Sequence, residues 1–397
     1  MREGKIKVTQ GIMIKPQYQI FTPGCAGSFE EQWSDCFNEF RLFLTTNSTQ
    51  KAFIARVFVA ANSQDEYFRY SKQIEKRLNS VGVPFSVLAE SPESPNLVMI
   101  EAGFVDSSGV QVEYGITETV RYCKINSSGY NEYWFAGVDG GSDNKTTAEK
   151  ATTAFARLLQ AFLQLGIGYN TIFRQWNYVE QIFDFELIDD RQRQKYQLFN
   201  EVRGEYYSKY RTAPGFPAAT GIGTAFNGVT IECMAVTCDE RLTTVAINNP
   251  KQLSSYKYGQ EVLKGDPEKN SKQNHPPQFE RARLMTNGQS SRLFISGTAS
   301  IVGQETVGLN DVEKQTYVTI DNIEQLASVA NLRSHYPELI VFPDKYAYVR
   351  VYVKNEEDIP AVKVICQGYF GAVPMTFVKA DICRADLLVE IEAEIIS

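Results

Sequence analysis

The feature that most constrains this chain is a threefold recurrence of one order of elements. Apolar side chains at helical spacing mark three helices. They are Phe29, Trp33, Phe37, Phe40 and Leu44; then Ala148, Ala151, Phe155, Leu158, Leu159 and Phe162; then Val312, Thr316, Ile320, Ile323 and Ala327. Each set is one buried stripe of an amphipathic helix. A segment rich in β-branched and aromatic residues follows each helix, at 52–60, 171–179 and 346–353, as expected of strands. An arginine stands at the matching place in each: Arg56, Arg174 and Arg350.

The order then continues in parallel. A second helix is expected over 64–79, 191–210 and 359–369. Next come Val83-Pro84-Phe85-Ser86, Phe216-Pro217-Ala218-Ala219 and Val373-Pro374-Met375-Thr376, each leading into a strand. Closing strands are expected at 96–105, 242–248 and 387–395, and opening strands at 6–14, 132–137 and 292–300. The chain thus reads as an α/β (α+β) fold of three β-α-β-α-β-β units, spanning about 1–115, 116–249 and 250–397. One such unit leaves a sheet face and edges uncovered. Three in one chain cover one another, and the seams between them are natural ligand clefts. Two stretches read as loops: 213–227, rich in Gly, Pro and Ala, and the polar 259–278. The latter is long enough to be either a functional loop or a surface insertion.

Charge and composition narrow the function. The net charge of -7 argues against nucleic acid as a partner, because a phosphate backbone demands a basic surface. Seven cysteines, an odd number with no C-x-x-C pair, fit a reducing compartment better than a disulfide framework. Two histidines, His275 and His335, leave little material for a His-rich metal site or a Ser-His-Asp triad. No apolar run approaches the ~18 residues of a membrane span. The expectation is a cytoplasmic protein without metal or cofactor, either a monomer or a loose homo-oligomer.

The repeat, and the ending Leu388-Val389-Glu390-Ile391-Glu392-Ala393, resemble the RidA (YjgF) family, whose members are trimers with sites between subunits. That resemblance implies an intramolecular pseudo-trimer. A sharper resemblance, to the chorismatase family, covers about 116–397. It is carried by Arg174-Gln175-Trp176-Asn177-Tyr178, Tyr196-Gln197-Leu198-Phe199-Asn200 and Phe216 to Gly223. Further on it is carried by Phe279-Glu280-Arg281-Ala282, Ile295 to Gly303, Arg350-Val351-Tyr352-Val353 and Ile382 to Glu392. It implies hydrolysis of chorismate, a dicarboxylate enol ether, to pyruvate and a ring product. The imine deaminases of the RidA family hold a substrate carboxylate with an arginine two places after the proline of the fifth element. Here those positions are Ser86, Ala219 and Thr376, which counts against the alternative of an enamine or imine deaminase. A non-catalytic module binding a small anionic metabolite is the other alternative.

Enol ether hydrolysis begins with a proton delivered to the terminal methylene carbon, so it needs a carboxylic acid that stays protonated near neutrality. The resemblance implies Glu390. Strand alternation puts Glu390 and Glu392 on the face opposite Val389 and Ile391, where both meet either a polar centre or solvent. Two substrate carboxylates call for guanidinium partners. Arg281, Arg350 and Arg384 are the candidates, although the recurrence of Arg350 as Arg56 and Arg174 equally suits a structural role. Cys383 falls where the resemblance implies a residue that steers the product: cysteine with 3-hydroxybenzoate, alanine with a dihydroxylated cyclohexadiene. It suits an inert buried thiol equally. Gly297, Thr298 and Ala299 allow either close approach of a ligand or tight packing between repeats.

Overall fold

The computed structural model describes residues 13–118, 120–141, 145–259 and 275–397. In chain order a first stretch, up to residue 106, holds β1 (Pro16–Phe21), α1 (Phe29–Thr46), β2 (Gln50–Val59), α2 (Gln64–Leu78), β3 (Phe85–Leu88), β4 (Ser91–Pro92) and β5 (Val98–Asp106). The second holds β6 (Gln111–Thr117), β7 (Val120–Ser127), β8 (Tyr130–Asp139), α3 (Thr147–Leu165), β9 (Ile172–Glu180), β10 (Phe185–Ile188), β11 (Arg191–Gln194), α4 (Lys195–Tyr210), β12 (Ala218–Thr224) and β13 (Val229–Cys238). The third holds β14 (Thr243–Ile247), β15 (Ala282–Thr286), β16 (Ser291–Ala299), β17 (Ile301–Val302), β18 (Glu305–Thr306), α5 (Val312–Ala327), α6 (Val329–His335), β19 (Lys345–Val353), α7 (Ile359–Phe370), β20 (Met375–Lys379), β21 (Asp381–Ile382) and β22 (Val389–Ile396).

The three long helices form where the apolar stripes place them, and local chemistry fixes their starts. Ser28 and Glu31 form a capping box at α1, Thr146 and Glu149 one at α3, and the Asp311 side chain accepts from the Lys314 amide at α5. Each stripe buries against its own sheet. The second helix of the middle stretch starts later than its sequence suggests. Residues Arg191–Gln194 pair with Phe185–Ile188 as a hairpin, and the helix begins at Lys195.

One strand order recurs in the three main sheets: β1-β5-β2-β3, β8-β13-β9-β12 and β16-β22-β19-β20. In each the first two pairings are antiparallel and the last is parallel. The expected closing strand at 242–248 is corrected here. Val229–Cys238 closes the second sheet, lying between β8 and β9, while Thr243–Ile247 pairs with β15 in the third. Both segments are β-branched, and only the long-range pairing distinguishes them. The expected opening strand at 6–14 falls mostly outside the described residues, as does most of the 259–278 loop.

The sheets interlock at their edges. β4 pairs with β20 of the third sheet, and β21 pairs with β12 of the second. The Ala225 amide donates to the Ala89 carbonyl, linking second to first. Between the sheets lies a buried ionic network. Arg56 pairs with Glu101 at 3.1 Å and with Glu232 at 2.7 Å; Arg174 pairs with Glu392 at 2.7 Å. Arg350 pairs with Glu101 and Glu392, and Arg292 with Glu132 and Glu394. Charges this deep persist only because each guanidinium meets carboxylates from another strand or sheet.

Candidate active site at the seam of the second and third sheets

On β22, Val389, Ile391, Ala393 and Ile395 pack into the apolar core under the helices. Glu390, Glu392 and Glu394 therefore face the other way, toward the seam, and all three are buried. A bulge in the neighbouring strand shapes the space above Glu390. The β16–β22 register steps from Ile295 opposite Ala393 to Thr298 opposite Ile391, leaving Ser296 and Gly297 out of the ladder. A Cβ on Gly297 would overlap the Glu390 carboxyl. The Gly297 amide donates to Thr220 Oγ1 of β12 at 3.0 Å, and the Ala219 amide donates to Ser296 Oγ at 2.9 Å. The bulge thus docks the third sheet onto the second, and glycine is needed there because a carboxyl occupies its side-chain position.

One cleft opens at this seam. Glu390, Cys383, Arg281, Arg384, Gly297 and Ala299 line it from the third stretch, and Tyr196, Gln197 and Asn200 of α4 line it from the second. Six of the eight candidate residues therefore converge. Arg350 does not. It is fully buried, its guanidinium engages Glu101 and Glu392, and Arg350 Nη1 also donates to the Tyr352 hydroxyl at 3.1 Å. The expectation of Arg350 as a ligand clamp is corrected accordingly: its charge is already neutralised by two carboxylates. Thr298 also turns away from the cleft, its hydroxyl donating to the Ser296 carbonyl at 2.8 Å.

The two glutamates of the seam are driven in opposite directions. Burial pushes the Glu390 carboxyl up to about 8; the charge of Glu392 adds to this, and Arg174 and Arg281 only partly oppose it. Burial also acts on Glu392, but Arg350 and Arg174 overcome it, with help from the Thr220 hydroxyl, and hold that carboxyl below its ordinary range. Trp176 Nε1 donates to Glu392 as well, at 2.8 Å. One strand thus carries a carboxylate and, two residues earlier, a carboxylic acid that remains protonated at neutral pH. Burial, and then the nearby Glu390, push the Cys383 thiol up to about 12, so it rests as a thiol rather than a thiolate.

Among the described residues the cationic side of the cleft is not paired with carboxylates. Arg281 is 3% exposed, donates to the Leu253 carbonyl at 2.7 Å and to the Tyr258 hydroxyl at 2.6 Å, and its Nε finds no acceptor among the described residues. Arg384 donates to the Gln304 carbonyl at 2.8 Å, and one of its Nη atoms finds no acceptor among the described residues. Among the described residues neither arginine forms an ion pair. Tyr196, Asn200 and Tyr258 lie outside the sequence-derived set. Tyr196 and Asn200 belong to a stretch recognisable only as family-like, whereas Tyr258 follows no motif. Among the described residues, no group of three or more His, Cys, Asp or Glu side chains could hold a metal ion, and no helix is long and apolar enough to cross a membrane.

Comparison with known proteins points the same way. A family model for the N-terminal part of FkbO/Hyg5-like chorismatases matches residues 110–235. The 3-hydroxybenzoate synthase of Streptomyces hygroscopicus is 32% identical over 273 residues, which covers 66% of this chain and 73% of that protein. A chorismatase of the same organism is 29% identical over 283 residues, covering 71% and 75%. A crystal structure of a chorismatase superposes with a TM-score of 0.71 at 22% identity, over 97% of this chain and 99% of that one. The shared fold therefore extends across the N-terminal sheet, beyond the stretch where the sequence resemblance is sharp.

Proposed function

The chain belongs to the chorismatase family, and from that premise we propose that it cleaves the enolpyruvyl ether of chorismate, with the seam cleft as its active site. The observation that carries this reading is a buried carboxylic acid, Glu390, beside two guanidinium groups that pair with no carboxylate among the described residues. In this reading Arg281 and Arg384 receive the two substrate carboxylates. Glu390 delivers its proton to the terminal methylene carbon. Water adds to the resulting oxocarbenium carbon, and the hemiketal collapses to pyruvate and a ring alcohol. Burial keeps the proton on Glu390, and Glu392, ionised and held by the side chains of Arg174, Trp176, Thr220 and Arg350, adds to this by its charge.

Cys383 lies in the same cleft as a protonated thiol and is assigned the steering of the ring product toward 3-hydroxybenzoate, which forms from that ring alcohol by loss of one water, so that no water is consumed overall. Any covalent role requires that the thiol lose its proton during the reaction. Gly297 makes room for the Glu390 carboxyl, and Ala299 lines the cleft beside it. The recurrence of one strand order in three sheets supports reading the chain as three RidA-like units in an intramolecular pseudo-trimer. In this reading β6 goes with the second unit and β14 with the third, by the sheets they join.

The test is incubation of the purified protein with chorismate, with pyruvate measured by a coupled dehydrogenase and the ring product by chromatography. Release of pyruvate and 3-hydroxybenzoate in equal amounts is expected. A folded sample that neither turns over nor binds chorismate would refute the reading.

A further inference from the structure

Arg281 and Arg384 share more than a cleft, because both bear on Tyr258. Arg281 Nη2 donates to the Tyr258 hydroxyl at 2.6 Å, and the guanidinium carbon of Arg384 lies 5.0 Å from the centre of the same ring. Two like charges converge on one side chain, with no carboxylate paired to either among the described residues. Their other recorded hydrogen bonds go to single backbone carbonyls, those of Leu253, 2.7 Å from Arg281, and Gln304, 2.8 Å from Arg384. Tyr258 itself lines the cleft.

A tyrosine suits this position for a physical reason. Its oxygen accepts a hydrogen bond and its ring face attracts a cation, yet it carries no charge. A carboxylate in its place would hold the arginines equally well, but would neutralise them and compete with the carboxylates of a ligand. Here Arg281 Nε and one Arg384 Nη have no acceptors among the described residues, and neither guanidinium is neutralised by Tyr258. We infer that Tyr258 is a positioning residue: by its hydroxyl and its ring it holds the two guanidinium groups in one cleft, each able to receive one carboxylate of the same molecule, and so sets a preference of this cleft for dicarboxylates over monocarboxylates. The inference rests on the cleft being the chorismate site, and it adds a residue and a selectivity to that reading.

Two variants separate the contributions. Tyr258→Phe keeps the ring and removes the acceptor; Tyr258→Leu removes both. Loss of one charge-assisted hydrogen bond raises KM for chorismate by about tenfold, and loss of the ring as well raises it by about thirtyfold or more. In both variants kcat stays within about threefold of wild type, because the proton donor is untouched. Calorimetric titration with benzene-1,3-dicarboxylate and with benzoate then reads selectivity without turnover. The wild type is expected to favour the dicarboxylate by at least about tenfold, in keeping with a second charge-assisted contact, and Tyr258→Leu to lose that preference. An unchanged preference in Tyr258→Leu, or no preference in the wild type, overturns the inference. So does a fall in kcat without a rise in KM in Tyr258→Phe, which would put the hydroxyl in the chemistry itself. If the wild type fails to turn over chorismate, it is the chorismate reading that falls, and the two-probe titration still decides the role of Tyr258.

Discussion

Replacing Glu390 by glutamine should stabilise the protein, and increasingly so as pH rises. The glutamate carboxyl is buried and pushed up from 4.5 to about 8, first by burial and then by the charge of Glu392. A folded-state value above the unfolded one means that the native state holds its proton more tightly than the unfolded chain does. Its stability contribution is complete below pH 4.5 and is lost progressively up to pH 8. Each pH step of one costs about 1.4 kcal/mol, so the loss reaches ~5 kcal/mol over that window. The amide of Glu390→Gln matches the protonated acid in shape and does not titrate. Urea unfolding of both proteins at pH 4.5, 6, 7.5 and 9, analysed where each unfolds in a single cooperative step, measures the difference directly. The advantage of the variant should grow by about 5 kcal/mol between the extremes and level off above pH 8. A difference that stays constant within ~1 kcal/mol across the series would refute the claim that this carboxyl is held as an acid.

Other perturbations report on neighbouring parts of the account. Gly297→Ala puts a methyl where the Glu390 carboxyl lies. It should lower kcat by about a hundredfold or more and cost ~1–3 kcal/mol of stability, read by steady-state kinetics and thermal unfolding. Arg350→Gln leaves Glu101 and Glu392 short of a buried partner. It should cost about 3–5 kcal/mol in denaturant unfolding, while the KM of the protein that remains folded changes little. A large rise in KM at unchanged stability would instead make Arg350 a ligand clamp. Cys383→Ala should continue to release pyruvate but switch the ring product from 3-hydroxybenzoate to a dihydroxylated cyclohexadiene, detected by chromatography.

Much of this fold is legible because the signals are local. The stripes of α1, α3 and α5 repeat with the helical period, and their capping residues stand just before them. Alternation along β22 is enough to put Glu390 and Glu392 on the face away from the apolar core. What stays hidden depends on partners far away in the chain. Arg350 and its matching arginines recur visibly, but Glu101, 249 residues from Arg350, determines that its charge is spent on structure. Val229–Cys238 and Thr243–Ile247 look alike as strands, and only their pairing with β8 and β9, or with β15, assigns each to a sheet. Gly297 reads as packing or as ligand approach, packing slightly favoured, until the Glu390 carboxyl is seen to fill the position its Cβ would take. Tyr258 stands in no motif, and its importance arises only where two guanidinium groups meet it.

The most direct test of the central claim is the pH dependence of kcat/KM for pyruvate release from chorismate. A proton donor in the free enzyme that titrates at about 8 should give a plateau through neutrality and a descending limb near that pH, with a slope of one proton. Glu390→Gln should lose the activity across the whole range. A rate that keeps rising through pH 9, or a Glu390→Gln variant that retains wild-type turnover, would contradict the account.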